Sequence, residues 1–152
     1  MGAEYCYHTT MGPAVKYRFI KKATPAQAKE IITLYRAQGW WDKKASAAAL
    51  NRLIRGSHCF VAAERDGKII GMGRAISDRA GDAYLQDVTV DPAERGSGAG
   101  RGIVTAIERR LKRDGISWIA LIAQDNSEPF YLKLGFKTLR RARPMLAGNT
   151  YV

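Results

Sequence analysis

The chain has 152 residues, 46% of them hydrophobic, enough for a real core in one domain of ordinary size and too apolar for a disordered chain. A formal net charge of +11 implies solubility and a general attraction to anions, either nucleic acid or a phosphate-rich cofactor. No run approaches the roughly 18 apolar residues needed to cross a bilayer, and the first residues lack the apolar core of a secretion signal. A soluble cytoplasmic protein without a membrane partner is therefore expected.

Residues 1–14 read as a loose tail, and 15–152 as one domain. Val15 to Ile20 alternates like a strand, with Val15, Tyr17 and Phe19 set against Lys16 and Arg18. Thr24-Pro25-Ala26-Gln27 starts a helix, with Thr24 as cap, Pro25 in the first turn and Gln27 completing a capping box. Ala28, Ile31, Ile32 and Tyr35 follow at helical spacing, and Gly39 ends the helix before Trp40 and Trp41. Ser46 caps a second helix with Ala49, Leu50, Leu53 and Ile54 on one face and Gly56 as its stop.

Cys59 to Glu64 reads as a strand, Asp66-Gly67 as a hairpin turn, and Lys68 to Ile76 as the partner strand. Gly71 and Gly73 weaken that partner or mark a bulge. Tyr84 to Val90 is the next strand, ended by Pro92. After a glycine-rich turn, Ile103, Val104, Ile107 and Leu111 form the stripe of a long helix closed by Gly115. Ser117 to Ala123 is nearly all apolar, which suits a central strand buried on both faces. Ser127 to Leu134 forms a short helix ended by Gly135, and Phe136 begins a last strand broken at Pro144.

Two cysteines, Cys6 and Cys59, form no CxxC pair, and His8 and His58 lie far apart. No metal site is expected. Cys59 reads as a small buried hydrophobe. His58 beside it would point to the opposite face of a strand, so the pair makes a poor nucleophile and base.

The turn Arg95-Gly96-Ser97-Gly98-Ala99-Gly100 carries the chemistry. Glycines permit positive φ and close approach of a ligand. Successive amides in such a turn form an anion nest. The helix beginning near Gly98 adds its own unpaired N–H groups and positive dipole end, and Arg95 and Arg101 add full charges. A phosphate-binding P-loop would end in Gly-Lys-Ser/Thr, but Gly100 is followed by Arg101-Gly102. The dinucleotide fingerprint needs different glycine spacing and a place after the first strand.

Arg95-x-x-Gly98-x-Gly100 resembles the Gln/Arg-x-x-Gly-x-Gly/Ala motif of the GNAT N-acetyltransferases. Asp87 to Pro92 resembles the family's preceding strand, and Pro129-Phe130-Tyr131-Leu132-Lys133-Leu134-Gly135-Phe136 resembles its FYxKLGF segment. The resemblance implies an α/β (α+β by some schemes) fold. Its mixed, mostly antiparallel sheet would have six to seven strands, four flanking helices and a splayed pair of central strands. It also implies acetyl-CoA as co-substrate. Val88, Thr89 and Val90 would pair with the pantetheine arm. The amides of Gly96, Ser97, Gly98, Ala99, Gly100 and Arg101, with the Arg95 charge, would hold the pyrophosphate.

The implied reaction is direct transfer of the acetyl group to a primary amine in a ternary complex. Tyr131 matches the family's proton donor to the departing thiolate, and Asp87 stands where many members carry a base. Asn126 lies near a family position that contacts the cofactor, although it precedes Tyr131 by only five residues. Trp40 and Trp41 lie where the fold shapes the acceptor site and would suit a small aryl-alkyl amine, with Gln86 and Glu64 as further shaping residues. The alternatives are a protein amino group as acceptor, a non-catalytic acyl-CoA sensor, or a basic nucleic-acid-binding module built on Lys137, Arg140, Arg141 and Arg143. A homodimer is compatible with any of them.

Overall fold

The computed structural model describes residues 14–148; all but the last residue of the expected tail lies outside that range. Five strands run in the order β1 (Lys16–Phe19), β2 (Cys59–Arg65), β3 (Lys68–Ser77), β4 (Asp82–Val90) and β5 (Trp118–Ala120). The first four are antiparallel to their neighbours, and β5 is parallel to β4. Helices α1 (Pro25–Ala37) and α2 (Ala47–Gly56) cover one face, where Ile31, Tyr35, Leu50, Phe60 and Met72 form one core. Helix α3 (Ala99–Arg113) covers the other, burying Ile103, Val104, Ile107 and Leu111 against Val61, Ala75 and Leu85. Short α4 (Glu128–Lys133) sets Phe130 and Tyr131 against that second core.

The local signals act as their chemistry predicts. Thr24 Oγ1 accepts from the Gln27 N–H and Gln27 Oε1 from the Thr24 N–H, a complete capping box. Ser46 caps α2 through the Ala49 N–H. Asp66 and Gly67 both take positive φ at the β2–β3 turn.

Two expectations about the sheet fail. Residues 136–148 form no strand, so five strands are present among the described residues instead of six to seven. The apolar run 117–123 yields only three strand residues, and it is not buried on both faces. Trp118 is exposed and Ile122 is 57% exposed, because no described strand covers the far edge of β5. Continuous hydrophobicity marked the element and misled about its burial.

Close approach of α3 to β3 depends on missing side chains. A Cβ at Gly73 would sit 2.7 Å from Ile103 Cγ2 and 3.2 Å from Ile107 Cδ1. Gly73→Ala should therefore destabilise the fold by roughly 1–3 kcal/mol through overpacking. Gly56, with nothing within 4 Å of its would-be Cβ, should tolerate alanine and gain up to about 1 kcal/mol of helix stability. Urea unfolding of the two variants checks the opposite signs.

Candidate active site

The loop from β4 to α3 is pinned from several sides. The Asp91 N–H donates to the Ile70 carbonyl at 2.8 Å, and Asp91 Oδ1 accepts from the Ala93 N–H at 2.9 Å. Arg65 ion-pairs with Glu94, and Ser97 Oγ donates to the Glu94 carbonyl at 2.7 Å. Gly96 and Gly98 take φ of 78° and 86°, a region open to glycine at little steric cost.

Gly98 is the N-cap of α3 and offers no side-chain acceptor. The first helical bond runs from Gly102 N–H to the Gly98 carbonyl, and the amides of Ala99, Gly100 and Arg101 find no acceptor among the described residues. Three free donors at the positive end of a fifteen-residue helix make an anion site.

These amides open into a cleft of about 1060 Å³. Its walls are the far half of β4, the segment after β5 and the face of α4. The cleft exists because β4 pairs with β5 only from Asp82 to Tyr84. Beyond Tyr84 the strands part, so among the described residues the edge of β4 from Leu85 to Val90 has no strand partner on that side. An exposed backbone edge, free helix amides and two arginines fit a long phosphorylated ligand with an amide-bearing arm, as acetyl-CoA is.

Asp87 has a left-handed backbone, φ 56°, inside a strand. The register shifts there: Gln86 faces Arg74 and Thr89 faces Met72, so two residues of β4 oppose Gly73. Oδ2 of Asp87 accepts from Tyr35 Oη at 2.7 Å and from Arg74 Nε at 2.5 Å. Arg74 also donates to Gln86 Oε1 at 2.7 Å. Burial, and then the neighbouring Asp87 carboxylate, pushes the Tyr35 phenol far above its ordinary value. Tyr35 therefore remains a donor throughout the physiological range.

Most of the residues expected at the site share the cleft: Val88, Thr89, Val90, Arg95, Gly96, Gly98, Ala99, Gly100, Arg101, Tyr131, Asp87, Gln86 and Trp40. Four do not line it. Ser97 turns its hydroxyl to Glu94. Asn126 is outside the lining although its neighbours Asp125 and Ser127 belong to it, because 125 and 126 both take left-handed φ and redirect the chain. Trp41 stacks on Tyr35 at 4.3 Å between ring centres and serves the α1 core. Glu64 is bound by Arg18 at 2.7 Å on another part of the sheet.

Tyr131 stands edge-on to Phe130 and Phe136, at 4.9 and 5.7 Å. Burial raises its pKa. Cys59 is buried and its thiol is pushed up to about 11, mainly by burial, as suits a structural hydrophobe.

Sequence reasoning missed Arg74, Tyr35 as an Asp87 ligand, Tyr84 and Gln38. Arg74 left a usable signal: it is a charge inside the apolar strand Ile69 to Ile76, and a guanidinium there needs a carboxylate partner. Tyr35 left none, since helical spacing accounts for it as core.

The acetyltransferase (GNAT) domain model matches residues 21–145. The chain belongs to the GNAT family. Among its relatives, an Arabidopsis thaliana protein named GCN5-related N-acetyltransferase 2, chloroplastic, is 40% identical over 74 residues, 49% of this chain and 29% of the relative. Serotonin N-acetyltransferase 2, chloroplastic, of Oryza sativa is 36% identical over 70 residues, 46% of this chain and 35% of the relative. The chain thus spans about a third of the length of these relatives. The solved structure of glucosamine-6-phosphate N-acetyltransferase from Arabidopsis thaliana shares the fold, with a TM-score of 0.71 at 19% identity over 89% of this chain and 99% of that one. Among the described residues no helix is long and apolar enough to cross a membrane.

The Asp87 network gives this GNAT domain a testable lock. Tyr35→Phe keeps the ring that stacks on Trp41 and removes one donor to a partly buried carboxylate. It should cost about 1.5–3 kcal/mol in urea unfolding.

Proposed function

We propose that this domain transfers the acetyl group of acetyl-CoA directly to a primary amine. The observation that carries the reading is the convergence, in one cleft, of free α3 amides, the unpaired edge of β4 and the Tyr131 phenol. Acetyl-CoA would bring an activated thioester, which a neutral amine attacks. Ala99, Gly100 and Arg101 would hold the pyrophosphate through their amides, with Arg95 and Arg101 adding charge. The backbone of Val88 to Val90 would orient the pantetheine arm.

Tyr131 would give its proton to the departing sulfur. Its raised pKa keeps the phenol protonated, so the donor form persists to higher pH than for a solvent-exposed tyrosine. Asp87 would take the amine proton through its cleft-facing carboxylate, positioned by Tyr35 and Arg74. At the acceptor end, Trp40 is 40% exposed and Tyr84 is 42% exposed beside Gln86. Exposed rings with few charges favour a small aryl-alkyl amine over a polyanionic acceptor.

Acetyl-CoA should raise the thermal midpoint, and free thiol should appear with tryptamine faster than with glucosamine 6-phosphate. Tyr131→Phe should lower kcat by about 10²-fold and leave the acetyl-CoA thermal shift in place. The wild-type rate should show no alkaline fall assignable to this phenol below about pH 10. Undiminished turnover by Tyr131→Phe removes it as donor. A thermal shift without thiol release from any amine turns the reading to an acyl-CoA sensor, and no shift at all rejects acetyl-CoA.

A further inference from the structure

We propose that the groove between β1 and α3 is a docking site for an extended acidic peptide segment, which adds to the open edge of β1 as a further strand. The groove is about 630 Å³ and meets the acetyl-CoA cleft only at Gly98 and Arg101.

Among the described residues strand β1 is at the edge of the sheet. It pairs with β2 in the register Tyr17 to Ala63 and Phe19 to Val61, and the Ile20 N–H donates to the Phe60 carbonyl at 2.9 Å. Antiparallel pairing alternates. Residues 16, 18 and 20 therefore turn their backbone groups to β2, and Tyr17 and Phe19 turn theirs outward. Each carries a donor and an acceptor to the open edge, the pattern another strand can satisfy.

The side chains of the same two residues floor the groove. The Tyr17 ring lies over Gly102, where a Cβ would come within 2.0 Å of the phenol. The Arg110 guanidinium stands 5.6 Å from the centre of the Phe19 ring. Both rings remain partly exposed, offering apolar contact to alternate side chains of an added strand.

Helix α3 forms the wall with Arg101, Arg109, Arg110 and Arg113, and among the described residues no carboxylate lines the groove. Among the described residues Arg101 and Arg109 have no ion-pair partner, while Arg110 and Arg113 share the single carboxylate of Asp114 at 2.5 and 3.7 Å. With a rise of 1.5 Å per residue, Arg109 and Arg113 stand about 6 Å apart along the helix. Alternate residues of an extended strand are about 6.6 Å apart, so carboxylates on one face of the strand match this ladder. The charge excludes a second copy of this edge, which would bring arginines against arginines. A nucleic acid could use the guanidiniums but has no alternating amide edge to pair with β1.

Fluorescence anisotropy of the full chain with a labelled short peptide alternating glutamate and valine tests the proposal. Saturable binding is expected, at least tenfold weaker for the exposed double variant Arg109→Gln/Arg113→Gln, with its far-UV circular dichroism unchanged. N-methylation of alternate peptide amides, made in both registers, keeps the charge and removes strand pairing; one register should lose at least tenfold. Equal binding by both methylated peptides overturns strand addition. An oligothymidylate of equal charge that displaces the peptide and binds tighter assigns the groove to nucleic acid. Affinity unaffected by the arginine variants places the peptide elsewhere.

Discussion

The geometry of the cleft depends on Asp87, a non-glycine residue held at positive φ in the middle of a strand. Such a backbone costs on the order of 1–3 kcal/mol and persists only where the surroundings hold it. Here the surroundings are Tyr35 from α1 and Arg74 from β3, both bonded to one carboxylate oxygen. The bulge resets the alternation of β4. Leu85 and Val88 both turn to the α3 core, while the partners of Gln86, Asp87 and Thr89 lie on the α1 side. Gly73, opposite the extra residue, has no side chain because Ile103 of α3 comes down onto it. Pairing with β5 ends at Tyr84, three residues before the bulge. One strained residue thus sits within the part of β4 that lines the cleft.

The cleft carries two kinds of recognition. At the α3 end the groups are backbone amides and a helix dipole, fixed by glycine conformations and by the pinned loop from Asp91 to Ser97. They cost little reorganisation when an anion arrives. At the other end the groups are side chains: Trp40 from the α1–α2 connection, Tyr84 and Gln86 from β4, and Arg74 behind them. There the Asp87 charge is already matched by Arg74, so that end presents an ion pair and not a bare carboxylate.

How legible each part was in the sequence follows from how local its determinants are. The capping box at Thr24, the Ser46 cap, the Asp66-Gly67 turn and the Gly96 to Gly100 turn are each written within a few residues, and each formed as read. The bulge was not legible. Gly73 hinted at one, but its position in β4 needs Tyr35, Arg74 and Ile103 together, and these lie on three other elements. The run 117–123 shows the converse error. Hydrophobic composition promised a strand covered on both faces, while burial depends on neighbours that residues 136–148 do not supply. Asn126 lies outside the cleft lining for a related reason: two successive left-handed residues turn the chain in a way that composition does not encode.

That contrast explains why the glycine turn at the α3 end of the cleft was legible and the side-chain end was not. An anion site made of backbone needs only the right conformations, and glycines announce these in a short stretch. The side-chain end of the cleft needs particular residues brought together from a helix end, two strands and a loop. Trp40 and Trp41 make the point as neighbours. They looked equivalent in the sequence, yet Trp40 opens on the cleft, while Trp41 lies flat on Tyr35 and supports the residue that holds Asp87. The tryptophan that never touches the cleft therefore still acts on it, through the ring of Tyr35 and the carboxylate beyond.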